Sequence, residues 1–410
     1  MEAPGDRPGH RRPWWPAWLA GRGRLSLSAA AVLLLVVAGA TVATTTGHDG
    51  RTGGGDAARS PHSGRVGQPG DGGATARIEA SASAQAGLLP SPGPSTSASA
   101  PAAGGASCGV ADQLVPKCGA WLGIWPRTRS DGTVSTDLYG NMQSLEGRLG
   151  ERIDLVSRYY GWTQLPPDGT DAKLRDSGHV LLIDLRARNF STNTYVQWRD
   201  IAAGKYDDYL RTVGGRLRDF RTPVFFSFNQ EPEQELEKGT QVAGTQTEFA
   251  AAYRHVHDVV EGTGAHNVVW VWWIMGYTGY NSWYSTLYPG DRYVDWISYD
   301  PYDFNRCHNT GYETASQSVL PFLDWLGRSG PGKGKPVMLS EFGSNGTARG
   351  GWYRELGTVV KRAPRIKAII SFNSNPGGCD TRVTASADNW QGFASIAADP
   401  YFSQAAPSGP

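Results

Sequence analysis

Two glutamates stand where this sequence can do chemistry. Glu231 closes the apolar run "TPVFFSFN" that begins at Thr222, and Glu341 sits directly behind the apolar residues of "KPVMLSEFG". A carboxyl placed against a buried strand is costly unless it has a partner or a task. The two are 341 − 231 = 110 positions apart. If both strands belong to one barrel, the carboxyls face each other across its mouth. Such a pair suits cleavage of a glycosidic bond, one group protonating the leaving oxygen while the other attacks or activates water. Asn229, Gln230, Asp300, Tyr302 and Asn373 are the other polar residues at the ends of apolar runs. A second reading of Glu231 stays open. "EPEQELEKG" has a Pro after the Glu and further acids, which is how a solvated first helical turn looks, although Glu233, Glu235 and Glu237 satisfy that pattern without it.

The elements that must position these residues are legible as a repeat. Six further apolar runs join the two above: "AWLGIW" from Ala120, "RIDLVSRYY" from Arg152, "HVLLIDLR" from His179, "NVVWVWWIM" from Asn267, "VDWISYDPY" from Val294 and "IKAIISFN" from Ile366. Amphipathic stretches such as "TDLYGNMQSLEGRLG", "TQTEFAAAYRHVHDVVEG" and "ETASQSVLPFLDWLG" lie between them, and "SADNWQGFASIAAD" follows the last. Near-continuous apolar strands alternating with helices predict a parallel sheet covered on its outside, and eight such units predict closure into a (β/α)8 barrel. A doubly wound open sheet is the rival, but "LGIWPRTRSDG" after the first run lacks the GxGxxG of a phosphate turn. In a barrel the reacting groups come from the C-terminal strand ends.

The rest of the chain divides by composition. Residues 1–24 are basic, and 25–46 carry "LSLSAAAVLLLVVAGATVA", an uncharged apolar run that reads as a cleaved signal peptide or a signal anchor. Residues 47–107 are rich in Gly, Ala, Ser and Pro with almost no large apolar side chain, a tether that cannot offset chain entropy by burial. Residues 108–404 form the catalytic-domain candidate. Export to the cell surface or beyond would let the four cysteines pair, and Cys108–Cys118 with Cys307–Cys379 is the favoured set. A formal charge of +1 favours no polyanion, so nucleic acid is not expected as a partner. No metal or cofactor is implied: neither CxxC nor HxxxH spacing occurs, His255 and His257 point to different helix faces, and the Gly332-Lys333 turn lacks the Ser or Thr of a phosphate loop.

From Ala120 to about Asn373 the sequence resembles glycoside hydrolase family 26, retaining TIM-barrel enzymes whose most studied members are endo-β-1,4-mannanases. The resemblance rests on "WLGIW", "LLIDLR", "AAGKYDDYL", "WVWW", "YPGDRYVDWISYDPY" and "KPVMLSEFG", of which "YPGD..VDW" and "KP...SE.G" are the specific ones. It implies that Glu231 is the acid/base and Glu341 the nucleophile. Tyr302 matches the tyrosine that holds the nucleophile, with barrel-rim packing as its alternative. Trp272 lies near an aromatic sugar platform, although Trp270, Trp273 and Trp283 compete with it as packing residues. Asn229 and Gln230 adjoin the acid/base and would bind or support the reacting sugar. Gln230 stands where the family usually has His and the wider clan Asn, and "EQELEKGTQ" replaces an aromatic-rich segment. The implied protein is an extracellular or surface-anchored, monomeric hydrolase acting on mannan, xylan or β-glucan. A non-catalytic carbohydrate-binding or wall-associated barrel and a transglycosylase are the alternatives.

Overall fold

The computed structural model describes residues 109–236, 242–375 and 378–404. The basic, apolar and Gly/Ala-rich segments before residue 108, together with Cys108 and Glu237, lie outside the described residues. Eight strands follow one another: β1 Trp121–Trp125, β2 Leu155–Gly161, β3 Val180–Arg186, β4 Val224–Phe228, β5 Val268–Ile274, β6 Trp296–Tyr299, β7 Val337–Ser344 and β8 Ile366–Phe372. Each pairs in parallel with its neighbours, β8 pairs with β1, and β6 pairs with β7 through Ile297–Val337, Ser298–Met338 and Tyr299–Leu339, so the sheet is closed. The expected (β/α)8 barrel is therefore the fold.

A principal helix follows each strand: α1 Leu138–Leu149, α2 Gly169–Asp176, α3 Asp207–Phe220, α4 Gln246–Glu261, α5 Asn281–Leu287, α6 Ala315–Arg328, α7 Arg349–Arg362 and α8 Ala387–Ala397. In α3 the buried residues are Leu210, Val213, Gly214, Leu217 and Phe220, the spacing of a single helix face turned to the sheet. Side chains fix where helices begin. Capping boxes pair Asp168 with Asp171 at α2, Thr245 with Glu248 at α4 and Thr314 with Gln317 at α6.

The barrel interior is filled in tiers. Its base is apolar, with Trp121, Leu155, Val180, Phe225, Val269, Trp296 and Met338 packed together. Leu114, in the turn between the short strands Val110–Ala111 and Val115–Pro116, packs into that base. The Trp121 and Trp296 indoles donate to the carbonyls of Leu114 and Gln113 at 2.8 and 2.7 Å. Above the base come small residues. A Cβ on Gly123 would lie 2.9 Å from both Ile370 and Leu155, and Ser157, Ser227, Ser298 and Ser340 are fully buried. Ionisable and aromatic groups fill the next tier, at the C-terminal strand ends.

Candidate active site

Glu341 reaches the barrel mouth because β7 is irregular. Leu339 pairs with Ile369 but Phe342 with Ser371, so the register slips by one residue between them. Strict alternation would turn Glu341 outward between Ser340 and Phe342. The bulge instead turns it inward while Phe342 stays in the outer core. The carboxylate is fully buried and accepts three hydrogen bonds: the Tyr159 hydroxyl and Gln230 Nε2 donate to Oε1 at 2.8 and 3.1 Å, and the Tyr302 hydroxyl donates to Oε2 at 2.6 Å. Its backbone N–H donates to Asp300 Oδ1 at 2.9 Å. Burial raises the Glu341 pKa, and the donors from Tyr302, Tyr159 and Gln230 act against that rise.

Glu231 is placed by strained backbone after β4. Asn229 and Glu231 both adopt positive φ, 54° and 47°, a region that non-glycine residues occupy at some cost and that concentrates at functional sites. The contacts that hold it there are specific. Asn229 Oδ1 accepts the Ala187 N–H at 3.0 Å, the Gln230 N–H donates to Asp184 Oδ1 at 2.9 Å, and the Glu231 N–H donates to the Trp273 carbonyl at 3.0 Å. The Gln234 amide also donates to the Glu231 carboxylate. Burial, and then the charge of Glu341, push the Glu231 pKa well above its ordinary value, against the pull of the Arg186 guanidinium. Asp300, at the end of β6, is raised well above the carboxylate range by burial and by the charges of Glu341 and Glu231. It accepts the Trp273 indole N–H at 2.6 Å. Asp184, beneath Gln230, is pushed up by burial to about 7.

Most of the residues anticipated from sequence thus converge. Glu231, Glu341, Gln230 and Tyr302 form one constellation, and Asn229 supports it through the β3 backbone. Trp272 does not belong to it. Its indole is fully buried in the layer between sheet and helices, 5.0 Å from the Tyr288 ring and 6.1 Å from the Tyr284 ring, and cannot stack on a ligand in the mouth. Its neighbour Trp273 is the inward-facing ring of β5. The solvated helix start expected after Pro232 is also corrected. Glu233 and Glu235 are buried, Glu233 accepting the Met275 N–H at 2.9 Å and Glu235 paired with Arg186 at 3.1 Å.

Tyr159 joins the site without having been singled out by sequence, and so does Trp273, which the sequence offered as a packing residue. Period-two alternation from Leu155 through Ser157 carries a signal for Tyr159, since all three share a face of β2. Aromatic rings line the mouth beside Glu341: Trp125 lies 4.6 Å from Phe372 and 5.1 Å from Tyr159, centroid to centroid, and Tyr302 stacks on Phe304 at 4.4 Å. The Cys307–Cys379 disulfide is present, with a Cα–Cα distance of 5.2 Å, and ties the loop after β6 to the loop after β8. His308 lies close to both sulfurs, but these are bonded to each other, and no other candidate metal cluster occurs among the described residues. The Cys108–Cys118 pairing involves a residue outside the described set.

A catalytic domain of an endo-β-1,4-mannanase of family GH26 from a Bacillus species superposes on this structure with a TM-score of 0.52, at 20% identity over 69% of this chain and 86% of that one. The fold is that of glycoside hydrolase family 26. A GH26 β-mannanase from Bacteroides ovatus gives the same TM-score at 15% identity, over 70% of this chain and 91% of its own. Among curated proteins, Endoglucanase H of Acetivibrio thermocellus is 24% identical over 271 residues, which are 63% of this chain. The match spans only 28% of that relative's length. No protein-family model matches the chain.

Proposed function

We propose that the protein is a glycoside hydrolase that cuts a β-linked polysaccharide with retention of configuration. The observation that carries the proposal is the asymmetry of the two buried carboxyls: Glu341 accepts three hydrogen bonds that favour its charged form, whereas burial and the neighbouring Glu341 charge both push the Glu231 pKa upward. Both carboxyls are raised by burial, but the donors oppose the rise at Glu341 while the Glu341 charge adds to it at Glu231, and that difference suits a nucleophile and a general acid. In the first step Glu341 attacks the anomeric carbon, the bond to the leaving oxygen breaks, and the Glu231 proton passes to that oxygen. In the second, Glu231 takes a proton from water, which attacks the glycosyl-enzyme and frees Glu341. The Glu341 charge acts directly on Glu231, which supports two neighbouring carboxyls such as a retaining enzyme needs, at about 5–5.5 Å.

The favoured substrate is a β-1,4-mannan, because the structures of like fold are named mannanases; the relative named an endoglucanase makes β-glucan the next choice. Cell-surface or extracellular action is supported by the apolar N-terminal run and by the Cys307–Cys379 disulfide, which persists in an oxidising compartment.

The test is release of reducing ends from galactomannan, β-1,3-xylan and mixed-linkage β-glucan, with the first sugar released followed by proton NMR. Wild type should produce the β-anomer first, and Glu341→Ala should lose at least about 10³-fold in kcat, the usual scale for losing a nucleophile. An α-anomer as first product would remove Glu341 from the nucleophile's role. Equal inertness of both proteins on every polymer, with one polymer still bound, would make the barrel a binding protein.

A further inference from the structure

β3 climbs to the barrel mouth with alternate residues turned inward, and the chain keeps that alternation past its end. Leu181, Ile183, Leu185 and Ala187 belong to the outer core, so Leu182, Asp184, Arg186 and Arg188 take the inner face. The inner polar residues below Arg188 have partners at the site. Asp184 accepts the Gln230 N–H at 2.9 Å, and Arg186 pairs with Glu235 at 3.1 Å while its charge acts on Glu231. Arg188 is the next step outward, about 6.6 Å along the chain from Arg186, roughly one sugar unit.

Arg188 is held in place but its charge is not matched. Its carbonyl accepts the Trp162 N–H at 2.8 Å, and Arg188–Asn189 pairs antiparallel with Thr194–Tyr195. This hairpin sits close on the end of β2: a Cβ on Gly161 would lie 2.9 Å from the Arg188 carbonyl and 2.8 Å from the Phe190 ring. Gly161 is two residues beyond Tyr159, whose hydroxyl donates to Glu341, so the hairpin borders the site from the nucleophile's side as well. The guanidinium carbon lies 5.0 Å from the centre of the Tyr195 ring. Arg188 is only 4% exposed, yet its Nε and Nη1 have no hydrogen-bond partner, and among the described residues no carboxylate pairs with it. Burying a guanidinium without a counter-ion is costly. Arg186 meets that cost with Glu235, whereas at Arg188 the missing anion has to arrive with the ligand. A planar fork of donors matches a carboxylate, and one guanidinium matches one negative charge.

We propose that Arg188 binds the carboxylate of a uronic acid unit of the polysaccharide, about one sugar away from the bond that is cut, so that the substrate is an acidic β-glycan. The proposal rests on the hydrolase reading above and adds a charge to the neutral backbones considered there. It gives Arg188 no part in bond cleavage.

The test compares galactomannan and mixed-linkage β-glucan with the same polymers after a fraction of their primary hydroxyls has been oxidised to carboxylates. With wild type, oxidation should raise kcat/KM about tenfold, the scale of one charge-assisted hydrogen bond. Arg188→Met should abolish that gain and leave turnover of the neutral polymers unchanged. Arg188→Lys should restore part of it, because it keeps the charge without the fork. The thermal midpoint of Arg188→Met should be no lower than that of wild type, since the exchange removes a buried charge that has no partner. No gain on oxidation, a gain that survives in Arg188→Met, or an equal loss on neutral and oxidised polymers would each overturn the carboxylate site and leave the hydrolase reading intact. An equal gain with polymers sulfated at the same hydroxyls would overturn the carboxylate as the group that is read. Retention of oxidised polymer in affinity gels that depends on Arg188, by a protein that cuts no glycan, would keep the site and overturn the hydrolase reading. Absence of both retention and cleavage in wild type would overturn the two together.

Discussion

Glu341 is held by three donors, two phenol hydroxyls and one amide, and each contributes to keeping it ionised. The Tyr302 hydroxyl takes one oxygen, while Tyr159 and Gln230 share the other. Removing a donor from a buried carboxylate raises its pKa, because the charged form loses more than the neutral form. A hydrogen bond to a charged group is worth about 1.5–3 kcal/mol, and about 1.36 kcal/mol corresponds to one pH unit. Tyr302→Phe and Tyr159→Phe should therefore each move the acid limb of the kcat/KM profile upward by about one pH unit, since that limb reports ionisation of the nucleophile. The alkaline limb, set by the Glu231 proton, should move less. A uniform loss of rate across pH, with both limbs unmoved, would assign the tyrosines a packing role only. At this scale much is legible in the sequence: Glu231, Glu341 and Tyr302 end apolar strands and carry polar groups where a barrel has its mouth. Tyr159 is harder to single out because "SRYY" offers two tyrosines, and only the inward one reaches Glu341, while Tyr160 binds Asp171 on the outer side.

At the scale of elements, the eight strands are legible from their apolar runs, and the deviations from regularity are not. The β7 bulge that turns Glu341 inward has no composition of its own, and choosing between Trp272 and Trp273 requires the parity of β5, which a continuous apolar run conceals. The segment after Glu231 misleads for a different reason. Its density of acids suggests solvent, yet Glu235 is matched by a cation 49 residues earlier in the chain, Arg186 at the end of β3. Arg186 also donates to Gln234 at 3.0 Å, so this buried pair fastens the loop of the general acid to the barrel. Breaking a buried pair by removing one partner leaves an uncompensated charge, at a cost of about 3–5 kcal/mol. Glu235→Ala should lower the thermal midpoint accordingly, by several degrees. The double variant Arg186→Met/Glu235→Leu should recover most of the loss, because apolar groups of similar volume replace a buried pair at little cost. Calorimetry of the two proteins decides it, and equal midpoints for Glu235→Ala and wild type would mean that the loop is fastened by other contacts.

For the whole molecule, the barrel concentrates carboxyls in its interior, and its stability should depend on pH with a definite sign. Burial pushes Asp154 and Asp184 up to about 7, from an ordinary value of 3.8, and Glu233 up to about 7 from 4.5. Folded pKa values above the unfolded ones mean that the native state holds protons the unfolded chain has released. Stability from these groups is then complete below about pH 4, falls as the pH rises toward 7, and is flat above. Glu233 alone corresponds to about 3 kcal/mol across that window. The urea midpoint of the wild-type protein should thus be higher at pH 5 than at pH 8. Glu233→Gln isolates the effect, because a neutral amide replaces a carboxyl that is neutral in the fold at low pH and is ionised at a cost at high pH. The variant should match wild type near pH 4 and exceed it at pH 8 by up to about 3 kcal/mol, since water drawn to the ionised side chain reduces the full value. Urea titrations of both proteins at the two pH values measure the difference directly. A gap that does not change with pH would show that the Glu233 carboxyl titrates in the fold as it does in the unfolded chain, and that the interior beneath the Glu231 loop is wetter than its burial implies.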